Sequence, residues 1–281
     1  MLIPETDELQ VDAGFVCRMQ FMWPHSLVLA GLAYVLIGTA VGCEAASDKI
    51  VKRENLRLTI PGTEVSFEMV WIPEGGFWIG KTEVTWDEYL VYCDFENPAR
   101  EAGKGVDGIS RPSKPLEDVA PFDRDWGLGR RPAVGMSWNA AKRYCEWLSK
   151  NFKRRFRLPT ESEWLLACGP VPSGPLSEFA WFEVNSDEMT QAAGQKRPNQ
   201  HGLHDTLGNL WEYCGNPFSP KEPGRAVLRG GSWEDPAARL TPESRLGFED
   251  DWVLEDPNVP PGVWWVPDGN HLGLRILCEI D

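Results

Sequence analysis

Apolar and polar residues alternate along "RLTIPGTEVSFEMVWIPEGGFWIG" (57–80), and Pro-Gly and Gly-Gly pairs interrupt the run. The pattern predicts short strands joined by tight turns. The period then changes. In "VTWDEYLVYCDF" (84–95) apolar residues recur at helical intervals, and Thr85 and Glu88 stand in capping-box spacing, which predicts a short buried helix. A second helix is predicted from Ser137, where "SWNAAKRYCEWLSKNF" places Ala141, Tyr144, Cys145 and Leu148 on one face. In "RLPTESEWLLAC" (157–168) a proline ends a strand, and Thr160 with Glu163 predicts a capped third helix. Residues 103–131 lack periodicity, and beyond Cys168 the chain is Gly/Pro-rich with short β-like pieces at 226–229 and 272–278. No internal repeat is present. Two or three short helices in a loop-rich β framework predict an α+β fold, not a βαβ one.

The first 43 residues follow another logic. Between Met19 and Gly42 there is no Asp, Glu, Lys or Arg, and the run ends in Ala40-Val41-Gly42-Cys43. Such a stretch reads as a secretory signal. Its end resembles a relaxed bacterial lipobox, with Cys43 as the lipidated residue of the mature chain. Against this stand Glu5, Asp7, Glu8 and Asp12 ahead of the run, and alanine at the first place, Ala40, where leucine is commoner. An uncleaved single-span anchor and an ordinary signal peptide are the alternatives. All three expect a domain outside the cytoplasm, as a membrane-anchored lipoprotein of the cell envelope or a secreted protein, with residues 44–57 as a tether and 58–281 as the folded domain.

Composition narrows the function. With 28 Lys+Arg against 42 Asp+Glu, the chain carries a formal charge of −14. The mean field would repel phosphates, so no nucleic-acid partner is expected, and "KNFKRRFR" (150–157) reads as a solvated helix end entering a strand. The 14 Trp are expected mainly in the core. Beyond Cys17 and Cys43, Cys93, Cys145, Cys168, Cys214 and Cys278 would face an oxidising compartment, where disulfides persist. The HxxH pair His201 and His204 reads as packing within its motif more than as a metal site.

Four segments in order carry a family resemblance: "TEVTWDEYLVYCDF" (82–95), "PAVGMSWNAAKRYCEWL" continuing to "RFRLPTESEW" (132–164), "PNQHGLHDTLGNLWEYC" (198–214), and "RAVLRGGSW" (225–233) with "HLGLRI" (271–276). By these the chain is identified as a member of the sulfatase-modifying factor family, to which the formylglycine-generating enzyme belongs. The resemblance implies an irregular, loop-rich C-type-lectin-like fold over roughly 58–279. It implies a calcium-binding turn at "LGNLWEYC", with Asn209 and Glu212 as candidate oxygen ligands and Asn185 as a candidate from a second calcium loop. The competing reading is that Asn209 merely caps a turn. It also implies a structural disulfide from Cys145, for which Cys278 is the expected partner, while Cys93, Cys168 and Cys214 stay unassigned.

The oxidase of this family holds Cu(I) with two cysteine thiolates shortly after its RGGS motif. Here Trp233 to Arg245 reads "WEDPAARLTPESR", without sulfur. Copper is therefore not expected. An insert at 246–271 is acidic and contains Trp252, Trp264 and Trp265; with Trp233 and Arg245 these are candidate ligand-binding residues, the alternative being an ordered loop whose indoles cover the core. The expected function is a non-oxidase binding or scaffold module for an extracytoplasmic protein or glycan. A divergent oxidase, another metal-dependent enzyme, or a structural envelope subunit are the alternatives.

Overall fold

The computed structural model describes residues 53–96, 126–256 and 260–280. The leader, Cys43 and most of the tether lie outside the described residues. Strands β1 (Leu56–Thr59), β2 (Ser66–Ile72) and β3 (Phe77–Gly80) form the antiparallel meander that the first pattern predicts. In β2 the alternation of Ser66-Phe67-Glu68-Met69 gives way to buried Val70-Trp71-Ile72, where the strand is covered on both faces. Trp71 opposes Trp78 across the β2–β3 pair with ring centroids 4.7 Å apart, and Arg53 lies over both rings. The fold begins before the expected boundary at residue 58. Asn55 Oδ1 accepts from Trp71 N, and Glu54 O accepts from the Trp78 indole N–H, so these residues are not a free tether.

The three predicted helices form where their caps place them. Helix α1 (Trp86–Glu96) starts at Thr85, whose N–H and hydroxyl both donate to Glu88 Oε1. Helix α2 (Trp138–Phe152) is capped by the Ser137 hydroxyl, which accepts from Ala140 N, and it buries Ala140, Ala141, Tyr144, Cys145, Trp147 and Leu148. The chain turns out of α2 through Lys153 in a left-handed conformation and enters β4 (Phe156–Arg157). Helix α3 (Glu161–Cys168) has the full reciprocal capping box of Thr160 and Glu163.

A second sheet was not expected at its full extent. Strand β5 (Trp211–Ser219) pairs with β6 (Glu222–Arg229), followed outward by β7 (Arg245–Gly247), while β8 (Leu272–Gly273) runs parallel to β5 on its other side. Strand β9 (Leu277–Cys278) enters the first sheet between β3 and β4, giving the order β1-β2-β3-β9-β4. The α+β class holds. The principal core is aromatic: Trp265 stacks on Trp86 and meets Tyr89 edge-on, and Tyr89 packs against Tyr92 and Tyr144.

The α1 cap carries a testable pH dependence. Burial pushes the Glu88 carboxyl from 4.5 up to about 7, against the lowering effect of its Thr85 hydrogen bonds. The folded state thus binds the proton more tightly than the unfolded chain. The associated stability is full below pH 4.5 and is lost as pH rises through about 7. Glu88→Gln is expected to remove up to about 3 kcal/mol of that loss. Urea unfolding at pH 5 and pH 8 measures it, and parallel pH profiles for the two proteins would refute it.

Candidate functional site

The Gly230-Gly231 pair follows directly from the end of β6, with φ of +105° and +79°. What the bare backbone passes close to is the protein itself. A Cβ on Gly230 would lie 3.1 Å from Thr206 O, and one on Gly231 3.0 Å from Leu240 Cδ1. The turn after the wall folds back and fills it. Asp235 Oδ2 accepts from Ser232 N (2.9 Å), the Ser232 hydroxyl (2.7 Å) and the Trp211 indole N–H (2.7 Å), and Asp235 Oδ1 pairs with Arg239 at 2.9 Å. Ser232 is fully buried. Arg229 pins the continuation of the segment by donating to the carbonyls of Pro242, Glu243 and Ser244 and to Glu161.

The candidate ligand-binding residues prove mostly internal. Trp264 and Trp265 are buried, Trp265 within the aromatic core, so neither offers an indole face to a partner. Trp233 is also buried; its indole N–H donates to Asn270 O, and Trp126 meets it edge-on. Trp252 is half-buried between Phe248 and His271. Arg245 holds Glu161 and Phe218 O and lies over the Phe218 ring. The insert is sewn onto the start of α2: Ser137 N donates to Trp264 O, and the Ser137 hydroxyl and Asn139 amide donate to Val263 O. Its described part is an ordered loop covering the core. Burial lowers His271 to about 4, so it is neutral at neutral pH.

The candidate calcium ligands have other partners. Asn209 Oδ1 accepts from Gln191 N (2.9 Å), and its amide donates to Glu83 Oε2 and Gln191 O. Glu212 lies on β5, where both its oxygens accept from Arg275 and Oε2 also from the Trp164 indole. Asn185 closes a local turn, accepting from Phe182 N and donating to Ala180 O. Among the described residues the three share no hydrogen-bonding partner. Among the described residues no group of three or more His, Cys, Asp or Glu is arranged to hold a metal ion. His201 Nε2 lies by the Gln200 amide and His204 Nδ1 by Lys196 O, so the two rings have separate partners.

Sequence reasoning missed the buried polar centre that these residues join. Glu83, Asp205, Glu212 and Arg275 are each at most 2% exposed. Arg275 donates to Glu212, Gly80 O, His204 O and Asp205 O. Burial first, then the charges of Asp205 and Glu212, pushes Glu83 well above the usual carboxylate range. Glu83 accepts from Asn209 and Leu210 N, joining the segment after β3 to the start of β5. The signal was present in "TEVT" and "GLRI", but nothing local marks either residue as the partner of the other.

The expected Cys145–Cys278 disulfide is not formed. Among the described residues no disulfide joins Cys93, Cys145, Cys168, Cys214 or Cys278, and all five are buried. Cys278 is held in register between Trp78 and Phe156, with its thiol 3.6 Å from Glu279 O. Burial raises the thiols of Cys145, Cys214 and Cys168, the last to about 12, keeping them protonated. A Cu(I) site needs a pair of accessible thiolates. The described cysteines do not fit that requirement.

Comparison with known proteins places this geometry in context. Residues 50–253 match the family described as the sulfatase-modifying factor enzyme 1-like domain. The inactive C-alpha-formylglycine-generating enzyme 2 of Bos taurus is 32% identical over 127 residues, 38% of this chain and 40% of that protein. The formylglycine-generating enzyme of Streptomyces coelicolor is 33% identical over 144 residues, 38% and 43% of the respective chains. The serine/threonine-protein kinase pkn1 of Chlamydia pneumoniae is 33% identical over 130 residues, 38% of this chain and 20% of the kinase. The chain thus spans less than half the length of these relatives. Among solved structures, Treponema denticola variable protein 1 superposes with a TM-score of 0.58 at 20% identity, covering 82% of this chain and all of that one. CarF does so with a TM-score of 0.52 at 20% identity, covering 73% and 87%.

Proposed function

The chain belongs to the sulfatase-modifying factor enzyme 1-like domain family, and on that premise we propose that it is a non-oxidase member, a binding or scaffold module. One observation carries the reading: Trp233–Arg245, where the family's oxidase has its copper cysteines, contains no sulfur and folds back to fill the wall through Asp235, Arg239 and Leu240. Buried, protonated thiols elsewhere support it. So does the similarity to a protein named as an inactive formylglycine-generating enzyme, because loss of the chemistry on this fold has a precedent there. The charge-free run before Cys43 supports an anchored position outside the cytoplasm, facing a protein or glycan partner.

The test is turnover. The purified full chain, loaded with Cu(I) under oxygen, is incubated with a cysteine-containing sulfatase-motif peptide, and peptide mass is followed for thiol-to-aldehyde conversion. A formylglycine-generating enzyme runs alongside as positive control. No conversion is expected from this chain. Copper-dependent conversion would sink the non-oxidase reading.

A further inference from the structure

A polar cavity of about 370 Å³ lies against the first sheet, away from the glycine wall, and shares no lining residue with it. Its size is in the range of small-molecule sites. Arg57 on β1, Glu68 on β2 and Lys81 just after β3 form one cross-strand row along it. Glu68 takes Lys81 at 2.6 Å and Arg57 at 3.6 Å, so one carboxylate is set against two cations. A third cation, Arg130, also lines the cavity. Its exposed guanidinium makes no hydrogen bond or ion pair with any described residue, although its field reaches Glu68 and Glu88.

The Arg130 backbone is fixed where this side chain can be used, because Ala193 N donates to its carbonyl. Gly194, next in the chain, leaves open the space beside it: a Cβ there would sit 3.5 Å from Thr82 and 4.0 Å from Arg130 Nη2. His204 completes the lining. A carbonyl only accepts, so its Nδ1 donates to Lys196 O, and in a neutral ring Nε2 is left as an acceptor. The cavity therefore sets three cations, Arg57, Lys81 and Arg130, against two carboxyls, Glu68 and the buried Glu88, beside hydroxyl and imidazole groups, in a chain whose overall charge is −14. A positive recess on an acidic protein selects anions locally while the bulk field repels them.

We propose that this cavity is a binding site for a small organic anion whose carboxylate or phosphate group is taken by Arg130, with the Arg57–Glu68–Lys81 row and His204 forming the polar walls around it. A guanidinium suits such a group because its planar fork can donate two parallel hydrogen bonds. The inference is independent of whether the glycine wall supports catalysis.

Binding of succinate and of inorganic phosphate to the full chain is measured by calorimetry at matched ionic strength, in wild type, Arg130→Gln and Arg197→Gln. Arg197 is an exposed arginine paired with Glu178 and outside the cavity. Saturable binding of at least one probe is expected. Arg130→Gln should weaken it about ten-fold and Arg197→Gln should leave it unchanged. Arg57→Gln, at a strongly exposed position, should weaken it less and serves if Arg130→Gln does not fold. A preference for succinate identifies a carboxylate ligand, and one for phosphate a phosphorylated ligand; either supports the site. Failure of both probes to bind at millimolar concentration, or equal losses in the Arg130 and Arg197 variants, would overturn it.

Discussion

Replacing Arg275 with methionine is expected to lower the unfolding free energy by about 3–5 kcal/mol. The guanidinium and its partner Glu212 are each 1% exposed, and the pair is closed by a 2.6 Å contact. Glu83 and Asp205 are buried within electrostatic reach, so Arg275 is the cation that compensates this acidic centre. Removing it leaves Glu212 buried and uncompensated, and strips donors from the carbonyls of Gly80, His204 and Asp205. The pair itself need not be worth that amount, since desolvation offsets much of its attraction. The test therefore includes Arg275→Met with Glu212→Leu. Denaturant unfolding should show the double variant recovering part of the loss. A double variant as unstable as the single would show that the stranded charge is not the cause.

Gly208→Ala is the second large effect. Gly208 has φ of +76°, and a Cβ there would lie 2.1 Å from Trp181 O, a backbone atom that also accepts from Asn209 N. The left-handed conformation alone costs an alanine about 1–2 kcal/mol. The overlap adds more, because Trp181 cannot retreat without breaking the bridge it forms with Gly208. A loss of about 3 kcal/mol or more is expected, seen as a lower denaturant midpoint and reduced soluble yield. Gly224→Ala, where no atom lies within 4 Å of the new Cβ, should stay within about 0.5 kcal/mol of wild type. Equal behaviour of the two variants would refute the steric account.

The sequence was informative where structure is decided within a few residues. Ser137 and Thr160 cap the helices they were expected to cap, because each acceptor and donor lie three positions apart. Thr85 and Glu88 follow the same rule. Strand β5 was hidden because Gly215 and Pro217 interrupt its alternation, and the β5–β6 register shifts around Pro217. The role of Glu212 was hidden for another reason. Its cation lies 63 residues further on, and only tertiary packing brings them together. The insert shows what composition leaves open: three tryptophans in an acidic loop suit a binding face or a core cover, and hydrogen bonds from Ser137 and Asn139 decide for the cover. Arg130 had no sequence signal at all, since a guanidinium becomes notable only when its neighbours leave it unpaired.

The placement of β9 bears on how the domain is made. The first sheet has a vacancy between β3 and β4 that only Leu277 and Cys278 fill, about 200 residues after β3 has been synthesised. During translation the meander and the α2–β4 unit can form locally, but they cannot be joined until that late segment emerges. Contacts of such long sequence separation slow folding, because loop closure precedes the gain from pairing. A nascent chain therefore carries two unjoined halves of its first sheet, with the facing edges of β3 and β4 unpaired, until Leu277 and Cys278 are made.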